Sequence, residues 1–137
     1  MKTVYLAGAI ADCTDQECMH WREEVETFFA PAPRCVREVH VINPMQRDYR
    51  DVRITVENSK EVVEFDKVDI ARSDVVLANI IKPSVGTSME VLYAHTIGKI
   101  VVIYCEEGMN LSPWLVYHSH RIFHDLKEAV DWIKSYG

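Results

Sequence analysis

The sequence predicts an α/β protein with an open five-stranded parallel sheet, helices on both faces and the flavodoxin-like or Rossmann-like strand order 2-1-3-4-5. Two observations support this prediction. Short apolar runs alternate with amphipathic segments, and the run DVVLANI at 74–80 is apolar throughout. A continuously apolar strand is typical of a parallel sheet covered on both faces. Short right-handed connections then favour the stated order. The 137 residues suit one domain, 1–137.

The elements follow in order along the chain. A capping-box pattern, Thr14-Asp15-Gln16-Glu17, predicts the start of the first helix, and Pro31 and Pro33 end it. Glycine at 98 stops the third helix, and Asp125 caps the last one. The pattern predicts strands at 3–8, 35–42, 74–80, 100–105 and 120–125, with further helices at 56–72 and 88–97. The polar segment 45–53 is predicted to be a loop that reaches over a site, and 106–114 to be a loop with a short turn.

Composition and charge argue against several classes of protein. The formal net charge of −6 is unlike that of a nucleic-acid binder, which carries a basic surface. Four cysteines at 13, 18, 35 and 105 form no CxxC pair, and no metal or organic cofactor is indicated. We therefore expect a reduced, cytoplasmic protein. The N-terminus is a poor signal peptide, and no apolar run approaches the length of a membrane span.

The segment PSVGTSMEV, 83–91, follows the third predicted strand, and there Glu90 has two interpretations. In such folds ligands bind at the carboxyl ends of the strands, here the rim formed by 8–11 and 83–87. The simpler interpretation is a capping box, with Thr87 as N-cap and Glu90 at the third helical position. A carboxylate in a first helical turn tends to stay ionised, and an ionised carboxylate at this rim is a nucleophile toward a sugar carbon.

Asp66 is the second candidate acid. It shares a helical stripe with Val62, Val63 and Ile70, where acids rarely lie without a partner. Asp69, three residues on, is an equal alternative. Two carboxylates that meet in one pocket indicate glycosidic chemistry, in which one attacks the sugar while the other moves protons.

Weaker candidates surround these two acids. Ser84, Gly86 and Thr87 combine small groups with backbone donors at a helix N-terminus, which suits an anion or ordinary turn chemistry. Tyr5 is either a core residue or one whose hydroxyl reaches the rim. Arginines and a tyrosine in the 45–53 segment either receive a phosphate and stack on a base or are simply solvated: Arg47, Tyr49, Arg50 and Arg53. Histidines 118, 120 and 124 are expected on the surface rather than around a metal.

The chain resembles the nucleoside 2-deoxyribosyltransferase-like proteins, and in its motifs most of all the deoxynucleoside 5′-monophosphate N-glycosidases. Four pieces carry the resemblance: YLAG at 5–8, Asp66 before an apolar strand, PSVGTSME at 83–90, and LSPW at 111–114. Their order and the 24-residue separation of Asp66 and Glu90 make the match specific.

The resemblance implies a role for each site residue. Glu90 matches the family nucleophile, which attacks C1′, expels the base and forms a glycosyl-enzyme. Asp66 matches the acid that holds the sugar and assists proton transfer, and Tyr5 matches an aromatic residue that orients the glutamate. The implied substrate is a small nucleoside or nucleotide. The resemblance also implies a homo-oligomer, because the family completes each pocket with a neighbour's residues near Ser112.

Several positions help to distinguish a hydrolase from a base-exchanging transferase within this family. Ser84 matches a phosphate-binding serine of the hydrolases, where transferases carry aspartate, and Ser112 matches a second such serine. Typical transferases carry an asparagine at the position that matches Ser112. Asn110 lies close enough to Ser112 that a shifted alignment would place it there. The loop containing Gly8 and Ile10 departs from the hydrolases because it lacks their arginine, and Arg47 is one possible substitute.

The leading prediction is an N-glycosidase of a (2′-deoxy)nucleoside 5′-monophosphate, with Glu90, Asp66 and Tyr5 as catalytic residues. Its predicted substrate-binding residues are Gly8, Ile10, Ser84, Gly86, Asn110 and Ser112. The alternatives are a base-exchanging deoxyribosyltransferase and, in another class, a nucleotide-sensing module in which Glu90 is only a cap.

Overall fold

The computed structural model describes residues 1–30 and 39–136. Their strands form one parallel five-stranded sheet in the order β2-β1-β3-β4-β5, as predicted. The strands are β1 (Lys2–Gly8), β2 (Val39–Ile42), β3 (Val75–Asn79), β4 (Ile100–Tyr104) and β5 (Arg121–Phe123). The helices are α1 (Asp15–Cys18), α2 (His20–Phe29), α3 (Val56–Ala71), α4 (Val85–Thr96), α5 (Pro113–Tyr117) and α6 (Leu126–Ser135).

Two apolar cores lie on opposite faces of the sheet, which confirms the prediction of helices on both sides. Side chains alternate along a strand, so neighbouring residues of β1 enter different cores. Tyr5 and Ala7 pack with residues of α3, α4 and α5. Val4 and Leu6 pack with residues of α2 and α6. The predicted inward residues of α6 are buried: Leu126, Ala129, Val130 and Ile133.

The first predicted helix is two helices in the structure. Thr14 caps α1 with the predicted capping box, in which Glu17 is the reciprocal partner. The helix stops at Cys18, and α2 begins at His20. At this break the Cys18 carbonyl accepts a hydrogen bond from the Arg22 side chain at 2.5 Å. The proline signals at 31 and 33, and the predicted strand residues 35–38, lie outside the described residues.

Helix α4 begins earlier than predicted, and the capping interpretation of Glu90 is wrong. Ser84 is the N-cap, and its hydroxyl accepts from the Thr87 amide at 3.3 Å. Thr87 is therefore the third helical residue, and Glu90 lies a full turn beyond the capping position. Both Ser84 and Thr87 are N-cap residue types, and the structure uses the first. The predicted stop at Gly98 is confirmed by its positive φ of 85°.

Two loop predictions are refined. Pro44–Arg47 forms a short 3-10 helix capped by Asn43, within a segment that was predicted to be irregular. The predicted turn at 111–114 opens the helix α5, with Ser112 as its N-cap and Pro113 at the first helical position. Across residues 1–30 and 39–136, no helix is both long enough and apolar enough to span a membrane.

Candidate active site

Tyr5 and Glu90 meet beside the sheet, between β1 and α4. The Tyr5 side chain is almost fully buried. Its hydroxyl donates a hydrogen bond to Glu90 Oε2. Parallel pairing places the carboxyl end of β1 beside that of β3, which leads into α4. The sequence alternatives for Tyr5 were a core residue and a rim residue, and it is both: its ring is in the core and its hydroxyl reaches the site.

Glu90 and Asp66 line the same cavity, which has a volume of about 470 Å³. Asp66 projects from α3 and Glu90 from α4, while Tyr49 comes from the segment that was predicted to reach over a site. The remaining walls are mostly apolar, as in small-molecule sites generally. They consist of Val63, Lys67, Ile70, Gly86, Met89, Leu92, Tyr93 and Thr96.

The carboxyl of Glu90 has a raised pKa, so its protonation changes near neutral pH. Burial raises its pKa from 4.5 to about 7, and the nearby Asp66 acts in the same direction. The hydrogen bond from Tyr5, together with the charges of Arg22 and Arg47, opposes this rise. The expectation of a carboxyl kept ionised by a first helical turn is therefore wrong, because Glu90 is not in that turn and desolvation dominates.

Asp66 lies in a cluster of charges on α3. Burial raises its pKa, and the neighbouring Arg47 opposes the rise. Arg47 Nη2 is 3.2 Å from Asp66 Oδ1 and 2.7 Å from Asp69 Oδ2. Asp69 is buried, is also paired with Arg72 at 3.0 Å, and is not among the residues lining the cavity. Of the two acids left open by the sequence, Asp66 is the one that faces the cavity with Glu90.

Arg22 is a residue of the site region that sequence reasoning missed. Its side chain is fully buried on α2 and donates to the Gly8 carbonyl at 3.0 Å, at the end of β1. Burial lowers the pKa of its guanidinium, while the charge of Glu90 opposes that shift. Arg22 follows Cys18 by four residues and precedes Phe29 by seven, and both neighbours are buried. This helical spacing places Arg22 on the apolar face of its helix, and it could have revealed the burial of Arg22.

The other predicted binding residues lie around this centre rather than in it. Only Gly86 among them lines the cavity. Gly8 is packed under Trp21, Ile10 is buried, and Asn110 is exposed. Ser84 and Ser112 are helix N-caps whose hydroxyls accept from backbone amides. Ser112 lines a second cavity of about 290 Å³, whose wall includes Met89 and Leu92, two residues that also line the first.

The arginines of the 45–53 segment differ in their contacts. Arg50 binds Asp48 and Asp15 at 2.7 and 2.8 Å and donates to the Cys13 carbonyl at 3.1 Å. It therefore joins this segment to the loop that follows β1. Arg53 lies in an exposed stretch. Arg47 is engaged by two acids, so its charge is already matched.

The histidines of the C-terminal third serve the protein's own structure. The Val101 amide donates to His120 Nδ1 at 3.0 Å, and His118 Nδ1 lies 2.6 Å from the Trp114 carbonyl. Within the described part of the chain, no three histidines, cysteines or acids are placed to hold a metal ion.

A doubly wound sheet with two acids in one cavity near its carboxyl edge is the architecture of an α/β enzyme domain. The family model described as nucleoside 2-deoxyribosyltransferase like matches residues 1–109. The chain therefore belongs to the nucleoside 2-deoxyribosyltransferase-like family. It is an enzyme of the nucleoside deoxyribosyltransferase and N-glycosidase kind, with nucleosides or nucleotides as small-molecule substrates.

Solved structures share the fold at low sequence identity. A 2-deoxyribosyltransferase from Bacillus psychrosaccharolyticus is 19% identical, with a TM-score of 0.73 over 94% of this chain and 90% of that one. A conserved protein from Enterococcus faecalis V583 is 15% identical, with a TM-score of 0.73 over 98% of both chains. The CMP N-glycosidase BcmB from Clostridium botulinum is 23% identical, with a TM-score of 0.60 over 97% of this chain and 99% of that one. No curated protein matches the sequence significantly.

Proposed function

We propose that the protein hydrolyses the N-glycosidic bond of a (2′-deoxy)nucleoside 5′-monophosphate, with Glu90 as nucleophile. The observation that carries this proposal is that Asp66 and Glu90 line one cavity, while the hydroxyl of Tyr5 donates a hydrogen bond to Glu90. Two carboxyls with different surroundings are the equipment of retaining glycosidic chemistry, in which one attacks and the other moves a proton.

The reaction proceeds in two displacements. A Glu90 carboxylate oxygen attacks C1′ as the C1′–N bond breaks, and the base leaves with the bonding electrons and takes up a proton. Asp66 holds the sugar and assists that proton transfer, and the raised pKa of its carboxyl suits this role. Water then attacks C1′ of the glycosyl-enzyme and gives up a proton to the Asp66 carboxylate, the bond to Glu90 breaks, and the sugar phosphate is released.

The phosphate is assigned to Ser84 and Ser112. Ser84 stands at the N-terminus of the 12-residue helix α4, where backbone amides and the helix dipole favour an anion. The substitution of Arg47 for the arginine missing after β1 loses support, since Arg47 is engaged by Asp66 and Asp69. The fold shared with an enzyme named CMP N-glycosidase is consistent with a monophosphate substrate.

The second candidate function is base exchange between deoxynucleosides. The observation in its favour is structural, because the fold matches the Bacillus 2-deoxyribosyltransferase with a TM-score of 0.73, against 0.60 for the N-glycosidase. In this reaction a second base, rather than water, attacks the same glycosyl-enzyme. The nucleophile and the sugar pocket are then unchanged, and only the acceptor differs.

A shared pocket in a cytoplasmic homo-oligomer completes the proposal. The surface around Ser112 is apolar and open, with Trp114 and Tyr117 exposed by 68% and 74%, and Met89 by 65%. Exposed aromatic residues on an apolar surface are typical of an interface. A second copy seated there brings its own Ser112 toward the cavity that contains Glu90.

The experiment is a panel of the common nucleosides and nucleoside 5′-monophosphates, in ribo and deoxy forms, with and without a free acceptor base. Chromatography follows base release. Free base from monophosphates without an acceptor is the expected result. Product that forms only when an acceptor is present identifies the transferase, and release from unphosphorylated nucleosides alone rejects the phosphate assignment.

A further inference from the structure

The segment that follows β2 carries a cation that joins two acids of α3. Arg47 Nη2 lies 3.2 Å from Asp66 and 2.7 Å from Asp69. The Arg47 guanidinium also lies 5.5 Å from the centre of the Phe65 ring, on the same helix. Three contacts on one helix fix the position of this side chain, and with it the segment that places Tyr49 in the cavity wall.

The two acids that Arg47 joins have different positions. Asp66 faces the cavity, whereas Asp69 is buried, does not line the cavity, and is held by Arg72 through its other oxygen at 3.0 Å. Asp69 therefore acts as the anchor of Arg47, and Arg47 in turn directs Asp66 Oδ1. In many sites, hydrogen bonds from neighbouring side chains fix the orientation of a functional group in this way.

The charges around Asp66 come from several elements. Glu90 on α4 and Asp69 on α3 are acidic groups, Arg47 and the cavity-lining Lys67 are basic, and Tyr5 on β1 is a neutral phenol. Lys67 is directed toward the Tyr93 ring at 5.4 Å. Within residues 1–30 and 39–136, Arg47 is therefore the cation in direct contact with Asp66.

We propose that Arg47 is a positioning residue for the glycosidic reaction, which orients Asp66 through the Asp69 anchor and balances the negative charge of the two cavity acids. The inference rests on the proposed function. Without the Arg47 cation, the negative charges of Asp66 and Glu90 would be less well balanced, and the cluster would take up a proton at a higher pH. The orientation of Asp66 toward the sugar would be lost at the same time.

The test compares Arg47→Gln and Arg47→Lys with Arg53→Gln as the matched control. Arg53 lies in an exposed stretch at the end of the same 45–53 segment. In Arg47→Gln we expect kcat to fall about 10- to 100-fold with KM changed less than about threefold, and the acid limb of kcat/KM to move up by about one pH unit. Arg47→Lys should restore part of both, and Arg53→Gln should change neither.

A readout that does not depend on turnover separates this inference from the proposed function. Carbon-13 NMR of the carboxyl groups, assigned with Asp66→Asn, follows the Asp66 titration in the free protein. A higher apparent pKa for Asp66 in Arg47→Gln than in wild type is expected. An unchanged titration overturns the inference, even if wild type hydrolyses its substrate.

A raised KM for monophosphates alone, with KM for nucleosides unchanged, also overturns it, because that pattern makes Arg47 a phosphate ligand. A wild type without turnover rejects the proposed function, and the NMR result then decides the charge arrangement alone.

Discussion

The hydroxyl of Tyr5, on the first strand, donates a hydrogen bond to the carboxyl of Glu90, on the fourth helix, 85 residues further along the chain. The hydrogen bond lowers the pKa of Glu90, while burial of the same carboxyl raises it. The burial of Tyr5 and the negative charges of Glu90 and Asp66 raise the pKa of the phenol, so Tyr5 remains a donor at every physiological pH.

The rate of the proposed reaction should depend on pH through Glu90. A nucleophilic carboxylate must be ionised, and the pKa of Glu90 is about 7. Below that value kcat/KM is expected to fall about tenfold per pH unit. Steady-state kinetics between pH 5 and 9 measure this limb, and a flat profile from pH 5 to 7 would contradict the assignment.

Removing the Tyr5 hydroxyl should harm both orientation and ionisation. In Tyr5→Phe the carboxyl of Glu90 loses its donor, so its pKa rises and the acid limb of kcat/KM moves to higher pH. We expect kcat to fall about 10- to 100-fold. Tyr104→Phe, at a strand tyrosine that packs in the opposite core, is the control and should retain activity. Equal losses in the two variants would mean that the hydroxyl of Tyr5 has no special role.

Glu90 should reduce the stability of the fold at neutral pH. Its pKa is about 7 in the folded state against 4.5 ordinarily, so between these values the folded state binds more protons and stability falls as pH rises. Glu90→Gln removes the buried charge and should stabilise the protein at pH 8 by about 2–3 kcal/mol, with the difference vanishing near pH 4.5. Denaturant unfolding at both values measures this difference. The exposed Glu64→Gln is the control, and an equal gain there would sink the explanation.

Gly8 should be required for packing. A Cβ at this position would lie 2.6 Å from Cζ2 of Trp21 and 3.2 Å from Nη2 of Arg22. Gly8→Ala is therefore expected to cost about 1–3 kcal/mol of unfolding free energy. Gly86→Ala is the matched control, because the nearest heavy atom to its Cβ is Ser84 Oγ at 3.9 Å. A helical alanine there should be neutral or stabilising by up to about 1 kcal/mol. Similar losses at the two glycines would contradict the packing role.

The sequence predicted the sheet and its two covered faces because apolar runs report burial directly. The run that contains Val75–Asn79 is short and apolar throughout, which is typical of a strand covered on both sides. The start of α4 was mispredicted because Ser84 and Thr87 are both N-cap residues, and Thr87 with Glu90 fits a capping box by spacing alone. Local pattern does not distinguish the two caps, whereas tertiary contact between Glu90 and Tyr5 does.

The candidate site was predicted in part for similar reasons. Tyr5, Asp66 and Glu90 were selected from the sequence. The structure places Asp66 and Glu90 at one cavity and hydrogen-bonds Tyr5 to Glu90. The pairing of Arg47 with both Asp66 and Asp69 depends on how the segment after β2 packs on α3, which no local spacing encodes. Arg22 was missed because an arginine on an amphipathic helix is normally assigned to the surface.

The most direct test of the central claim is the turnover of Glu90→Gln, measured by base release from the best substrate of wild type and accompanied by calorimetric measurement of ligand binding. We predict a loss of about a thousandfold or more in kcat with binding retained, because the amide preserves shape and hydrogen bonding but cannot attack C1′. Turnover within tenfold of wild type would contradict the claim and would require a nucleophile other than Glu90.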